Sequence, residues 1–228
     1  MGIYIIFGIF ALISWAISSQ LKNKFATYSE MHLSNGMTGN EIATKMLSDA
    51  GIYNVKVISV QGQLTDHYNP TDRTVNLSND VYNGRNIAAA AVAAHECGHA
   101  VQHAKSYDWL TMRSQLVPVV SVTSKYMQWI LLAGIVLINF TAVPLGIGIV
   151  LFSLTTLFSF INLPVEFDAS NRALKWLETA GITNSSNHKY AKDALKWAAM
   201  TYVVAALGSF ATLVYYIMLF MGNQRRSS

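Results

Sequence analysis

The sequence predicts a mainly α-helical membrane protein, in which a helical module with a small antiparallel β ribbon is joined to about four transmembrane helices. Of the 228 residues, 52% are hydrophobic and only 12% are charged, whereas soluble domains average about 25% charged residues. Uncharged stretches long enough to cross a bilayer alternate with segments that carry charges of both signs. Together these observations favour a chain that lies partly in a membrane and partly in water.

Uncharged stretches predict the transmembrane helices. Residues 1–21 contain no charged side chain, and we interpret them as an uncleaved anchor because the basic region of a signal peptide is missing. Forty residues over 126–165 lack Asp, Glu, Lys and Arg, which predicts a transmembrane hairpin over 116–163 with a reversal near 139–144. A last uncharged stretch, over 197–222, is also long enough to span a bilayer.

Residues 22–113 form the predicted catalytic module, which has eight basic and eight acidic side chains. The segment Thr38-Gly39-Asn40-Glu41 has the spacing of a capping box, which predicts a helix after it. Two β-branched runs, VKVISV and RTVNL, flank the turn sequence Asn69-Pro70-Thr71-Asp72. We therefore expect an antiparallel ribbon, in which RTVNL offers an edge to which an extended peptide adds by backbone pairing.

The most informative segment is the Ala-rich run over 86–104, which contains the sequence HECGH at residues 95–99. It has no Pro and many strong helix formers, so a helix is predicted. Residues four apart on a helix lie on one face, about 6 Å apart along the axis, and His95 and His99 could therefore bind one Zn²⁺. Glu96 lies between them in rotation, where it could act on a water molecule without being a ligand.

A catalytic zinc needs three protein ligands, so a third must lie elsewhere in the chain. His103 is about 12 Å along the axis from His95, too far to share an ion on one straight helix. We choose Glu166, in the segment 164–196, because a proline there suits the first turn of a helix that follows a membrane span. Asp168 is the second choice as ligand, and otherwise would hold a ligand histidine through the imidazole N–H. Both carboxylates could instead simply stabilise the positive end of that helix.

Four spans would place residues 22–113 and 164–196 on one side of the membrane, as a shared site requires. Fourteen of the sixteen basic side chains then lie on that side and only Arg225 and Arg226 lie opposite, which predicts a cytoplasmic catalytic face in the cell membrane. The formal net charge of +4 is small and long basic runs are missing, which argues against nucleic acid as a partner. The expected partners are the lipid bilayer and a peptide or membrane-protein substrate.

Three segments together resemble a known family: VAAHECGHAVQH, the upstream GQLTDHYNPTDRTVNLS and the downstream LPVEFDASNRA. They resemble the bacterial membrane-bound neutral zinc metallopeptidases, which are similar to, though distinct from, the HtpX-type quality-control proteases. The resemblance covers most of the chain. It implies a gluzincin-like catalytic module joined to a small bundle of membrane helices.

The resemblance further implies that zinc is bound by His95, His99 and Glu166, with Glu96 as the base. HtpX-type sequences carry an acid four residues after the third ligand, where this chain has Ser170. The expected function is that of a zinc metalloendopeptidase, which hydrolyses peptide bonds with a zinc-activated water and Glu96 as general base. Two alternatives stay open: a non-catalytic membrane scaffold that contains zinc, and an intramembrane zinc protease. A structural zinc would normally have four protein ligands, and the apolar run before His95 is short for a membrane span.

Overall fold

The computed structural model describes the backbone of residues 2–227 and the side chains of residues 2–223; the predicted positions of the Arg225 and Arg226 side chains lie outside the described residues. Within this range the chain forms seven helices and three short strands. They are α1 (Gly2–Ser29), α2 (Gly39–Asp49), β1 (Lys56–Val60), β2 (His67–Asn69), β3 (Thr74–Ser78), α3 (Asn79–Asn83), α4 (Ile87–Ala104), α5 (Asp108–Val136), α6 (Val143–Thr179) and α7 (His188–Ser227). The predicted class, a mainly α-helical protein with a small sheet, is confirmed.

Four of the described helices, α1, α5, α6 and α7, are long and apolar enough to cross a membrane. Many of their large apolar side chains are exposed, among them Trp15, Val122 and Phe210, as expected of side chains that face lipid. The predicted number of transmembrane helices agrees with this. The helix of the hairpin that was predicted to begin at residue 116 begins earlier, at Asp108.

The chain divides into two compact units, which we name the membrane unit and the sheet unit. The membrane unit takes in the chain up to Ala16, Thr111–Leu163 and the chain from Thr201 onward. The sheet unit takes in Ile17–Leu110 and Pro164–Met200. The two segments that the sequence placed on one side of the membrane therefore fold together in the sheet unit.

The membrane unit is held together by close backbone approach and by side-chain hydrogen bonds. A Cβ atom added to Gly134 of α5 would lie only 2.5 Å from the Cα atom of Leu145 in α6, so this position needs a glycine. Farther along, the hydroxyls of Thr156 in α6 and Ser209 in α7 are 2.7 Å apart. The connection between α5 and α6 is the short non-helical segment 137–142, where the reversal was expected.

The sheet differs from the antiparallel ribbon that the sequence predicted. Its strand order is β1-β3-β2, and β1 pairs with β3 in parallel while β2 pairs with β3 in antiparallel register. The predicted turn at 69–72 joins β2 to β3, and β2 escaped prediction because it has only three residues. The RTVNL segment supplies the central strand, so it has no free edge, and its predicted role in docking a peptide is wrong.

The helices that flank the sheet begin with the predicted caps. Thr38 and Glu41 form a reciprocal capping box at the start of α2. The side-chain oxygen of Asn86 accepts a hydrogen bond from the backbone N–H of Ala89, 2.9 Å away, at the start of α4. The N-terminal half of α4 is made of small residues and is buried almost throughout, so neighbouring elements can pack closely around the motif that follows.

The helix predicted to begin at Pro164 does not begin there, because α6 runs without interruption through this proline. A proline inside a helix lacks the N–H that would bond four residues back, and membrane helices tolerate this loss. Because α6 is continuous, Glu166 and Asp168 lie far from either of its ends. Stabilisation of the positive end of a helix, the simple alternative explanation for both carboxylates, therefore does not apply.

Candidate metal centre

Three of the side chains chosen from the sequence meet inside the sheet unit. The Nε2 atom of His95 lies 3.3 Å from Oε2 of Glu166, and the Nε2 atom of His99 lies 3.6 Å from the same oxygen. One ligand atom from each residue lies within 4.8 Å of the other two. The side chains are 14%, 9% and 4% exposed in the order His95, His99 and Glu166. Among the described residues this is the group of His, Cys, Asp and Glu side chains placed to hold a metal ion.

The spacing of these atoms fits a zinc ion. Zinc bonds of about 2.0–2.1 Å in tetrahedral geometry place neighbouring ligand atoms about 3.3–3.4 Å apart, close to both measured nitrogen–oxygen separations. Two imidazole nitrogens and one carboxylate oxygen are also a donor set that zinc uses. These three residues would hold a zinc ion with three donors, and the ion would then be able to bind water or substrate as well.

Close contact between α4 and α6 brings the carboxylate to the two histidines. A Cβ atom added to Gly98 would lie 2.6 Å from the carbonyl oxygen of Ala169, much nearer than Cβ atoms approach other atoms in proteins. Ala169 is fully buried. The glycine between the two histidines therefore lets α6 lie directly against the motif, with Glu166 one turn before the point of contact.

The electrostatics of the cluster favour a carboxylate beside two imidazoles. Burial raises the pKa of Glu166, but the hydrogen bonds and charges of His95 and His99 together outweigh burial and hold its pKa well below the usual range. For His99, burial lowers the pKa, and Glu166, Glu96 and Gln102 together more than reverse this, so the net shift is upward. Protons and a metal ion would therefore compete for the ring nitrogens of the two histidines and the carboxylate of Glu166.

Glu96 is placed differently from Glu166, although both are buried glutamates of one site. It is 8% exposed, and its charge acts on His99 of the cluster. Among the residues that the structure describes, none donates a hydrogen bond to the Glu96 carboxylate. A buried carboxylate without a protein partner is costly and is available to a water molecule or a substrate.

Both histidines are also held through their second ring nitrogen, by residues that the sequence did not single out for this role. Nδ1 of His95 lies 3.1 Å from the hydroxyl oxygen of Ser170, and Nδ1 of His99 lies 3.0 Å from Oε1 of Gln102. Asp168 was expected to make such a contact directly, but its carboxylate bonds Gln102 instead. The one available signal was spacing, because Gln102 lies three residues after His99 on the same helical face.

His103 lies in the last turn of α4, as expected, and outside the metal cluster. Its Nδ1 atom is 2.7 Å from the hydroxyl of Tyr68, the middle residue of β2. This bond fixes an edge strand of the sheet against the end of the motif helix.

A cavity of about 330 Å³ lies elsewhere in the sheet unit, and none of the three clustered side chains lines it. Its wall includes Asp66, whose carboxylate accepts hydrogen bonds from the backbone N–H and the hydroxyl of Ser78 at 2.7 and 3.1 Å. Burial raises the pKa of Asp66, although the bonds from Ser78 act in the opposite direction. This cavity is therefore a separate feature from the metal centre.

Fold and site together define a membrane protein with a buried cluster of two histidines and one glutamate that could hold a metal ion. The chain belongs to the family described as "putative neutral zinc metallopeptidase", whose model matches residues 3–221. It is 41% identical over 210 residues to the "Putative membrane protease YugP" of Bacillus subtilis (strain 168), with 92% of each chain covered. No solved structure is significantly similar to it. The resemblance seen in the sequence, the membrane location and zinc as cofactor are thereby confirmed.

Proposed function

We propose that this protein is a zinc metalloendopeptidase of the HExxH type, with His95, His99 and Glu166 as zinc ligands and Glu96 as general base. One observation carries the proposal: one donor atom from each of three residues lies within 4.8 Å of the other two, beside a buried carboxylate to which no described residue donates a hydrogen bond. Family membership supports peptide-bond hydrolysis as the reaction. The name of the Bacillus subtilis relative, a membrane protease, points the same way.

The proposed mechanism gives Glu96 the proton transfers. When bound, the zinc ion supplies Lewis-acid activation of the attacking water and of the substrate carbonyl. Glu96 accepts a proton from that water and donates it to the leaving amine, so one carboxylate serves as base and then as acid. Because Glu96 is largely shielded from bulk water, its charge acts strongly on the reacting groups.

The geometry also weighs against the two other functions considered. A structural zinc in a non-catalytic scaffold would normally be closed by four protein ligands, whereas the described cluster has three. An intramembrane protease would carry its motif at bilayer depth, but α4 is not among the described helices that are apolar and long enough to cross. Asp168 is the weaker candidate for third ligand, because its carboxylate is bonded to Gln102 and Arg172.

We propose an extended peptide segment near the membrane as the substrate, with β2 as the strand on which it docks. Among the described strands β2 lies at one edge of the sheet, and the Tyr68–His103 bond fixes it to the motif helix. Backbone pairing to such an edge binds many sequences, since it uses main-chain groups. The catalytic face remains proposed as cytoplasmic, from the distribution of basic residues.

The proposal is tested with purified protein in detergent, assayed for zinc content and for cleavage of an unfolded protein such as casein. Glu96→Gln should lower the cleavage rate by a factor of about 100 or more while zinc stays bound, because Glu96 is not a ligand. His99→Ala and Glu166→Ala should lose both zinc and activity. Glu178→Gln, at an exposed position of α6, is the matched control and should behave as wild type.

Two results would contradict the proposal. Full cleavage by a zinc-loaded Glu96→Gln protein would remove Glu96 as the base and leave the zinc site standing. Unchanged zinc content in Glu166→Ala, together with loss of zinc in Asp168→Ala, would reverse the roles given to the two carboxylates.

A further inference from the structure

Gln102 occupies a fully buried position next to the proposed metal centre, and its amide orientation is determined by its partners. The Nε2 atom donates to the backbone carbonyl of Val165 and to the carboxylate of Asp168, both at 2.8 Å. Both partners are acceptors, so an amide oxygen cannot take the place of the nitrogen there. The amide oxygen of Gln102 must therefore face the other way, toward His99.

The orientation of this amide decides which nitrogen of His99 carries the proton. Oε1 of Gln102 is 3.0 Å from Nδ1 of His99, and an oxygen without a hydrogen can only accept. Nδ1 must therefore be protonated, and the lone pair of the neutral imidazole lies on Nε2, the atom that faces Glu166. His95 lacks such a restriction, because the hydroxyl of Ser170 can donate or accept.

Resting on the zinc site of the proposed function, we infer that Gln102 is a positioning residue which, held by Asp168, sets the tautomer of His99 that binds zinc. The usual carboxylate–histidine–metal arrangement is here lengthened by one amide. The carboxylate of Asp168 acts on the metal centre through Gln102, without touching a histidine. Arg172 in turn bonds Asp168 and lies 5.7 Å from the ring of Tyr107, which fixes the outer end of the relay.

The test measures the zinc affinity of the metal-free protein by competition with a chelator. Gln102→Met keeps the length of the side chain and removes the acceptor, and should weaken zinc binding about 10- to 100-fold. Gln102→Glu keeps an oxygen acceptor toward His99 but sets its second oxygen against the acceptors of Val165 and Asp168, so it should also weaken zinc binding. A role in packing alone predicts that Gln102→Met binds zinc as tightly as wild type, because the thioether side chain fills the same space.

A second comparison asks whether Asp168 acts through Gln102. Asp168→Asn should weaken zinc binding in the wild-type background, because Gln102 then loses its charged acceptor and is held less firmly, and should add no loss in the Gln102→Met background. Asp49→Asn is the control, because Asp49 also accepts bonds from two side chains, Lys45 and Trp176, in the same unit. It should leave zinc affinity unchanged.

The results separate this inference from the proposed function. If His99→Ala removes zinc but Gln102→Met binds it as wild type does, the relay is wrong and the metal site stands. If His99→Ala binds zinc normally, the metal site is wrong and the relay falls with it. Additive losses in the double variant also overturn the relay. Should Gln102→Met fail to fold, equal zinc affinities of Asp168→Asn and Asp49→Asn would overturn it.

Discussion

At the scale of single residues, the partners of a side chain decide its chemistry more than its type does. Glu96 and Glu166 are both buried, yet Glu166 contacts two imidazoles, while no described residue donates a hydrogen bond to the Glu96 carboxylate. The first arrangement suits a ligand and the second suits a base. Gln102 shows the same rule for a neutral group, since its two donors fix where its one acceptor points.

Asp66 gives the sheet unit a stability that depends on pH. Its folded-state pKa is raised by burial, so its contribution is complete below the unfolded pKa of about 3.9 and is lost as pH rises through the folded pKa. Asp66→Asn keeps both contacts with Ser78, because its oxygen accepts from the N–H and its nitrogen donates to the hydroxyl. We expect the variant to unfold at a higher temperature than wild type near pH 7, with a difference that shrinks toward about pH 4.

The measurement is thermal unfolding in detergent at several pH values. Asp72→Asn, which removes an exposed carboxylate from the turn between β2 and β3, is the control. A difference between Asp66→Asn and wild type that stays constant with pH would show that Asp66 is not perturbed by burial.

The sequence predicted residues of the candidate site by two kinds of reasoning, and the structure brings three of these residues together. The spacing of His95 and His99 needs only a helix, and α4 is that helix. Glu166 was chosen because it follows a span, and it does join the cluster, although the helix start that supported the choice is absent. For Gln102 the spacing from His99 was only a weak signal, because a neutral amide gains its role from Val165 and Asp168, which the fold brings to it from α6.

At the scale of elements, the contact between α4 and α6 determines whether the cluster forms. Alanine normally stabilises a helix relative to glycine, by about 0.5–1 kcal/mol. At Gly98 the added methyl group would lie 2.6 Å from the carbonyl oxygen of Ala169, so the helices must separate. We expect Gly98→Ala to weaken zinc binding about tenfold or more, since Glu166 would withdraw from the histidines.

Zinc affinity measured by chelator competition checks this expectation. Gly8→Ala is the matched control, because a Cβ atom at Gly8 meets nothing within 4 Å. If Gly98→Ala binds zinc as tightly as Gly8→Ala, the close contact does not control the metal centre.

Elements with strong local signals were predictable, and those that depend on distant partners were not. The capping box of α2 and the cap of α4 are local, and both are present. The pairing of β1 with β3 is a contact between separate segments, and β2 is too short to leave a periodic pattern. The continuity of α6 through Pro164 was missed because a proline at that point has the same local sequence whether it begins a helix or lies inside one.

At the scale of the whole molecule, we expect the sheet unit to lie on the cytoplasmic side of the membrane. Exposed positions of this unit, Asp72 and Ser185, are suitable for single cysteines in a Cys97→Ala background. Cys97 is buried and its pKa is raised by burial, so its removal only clears the background. Cysteines at both positions should escape an impermeant maleimide in intact cells and react after lysis.

A cysteine at Asn139, exposed in the segment 137–142 between α5 and α6, provides the matched control. It should react in intact cells, because one membrane span, α5, leads from the side of Asp72 to Asn139. Asn139 is therefore expected on the opposite, outer face of the membrane. Labelling of Asp72→Cys and Ser185→Cys in intact cells would place the catalytic face outside and leave the zinc chemistry unaffected.

The continuity of α6 affects the order in which the residues of the cluster are synthesised and brought together. The first part of the sheet unit, Ile17–Leu110, holds both histidines, but the clustered carboxylate follows only after the chain of α5 and the apolar part of α6. During synthesis the two histidines therefore leave the ribosome before the carboxylate does. With α5 and the apolar part of α6 as membrane spans, we expect Glu166 to join them only after the hairpin has been inserted and the chain has returned to the starting side. We therefore expect a nascent chain that is stalled before α6, or inserted in the wrong topology, to hold both histidines without the carboxylate and to bind zinc weakly.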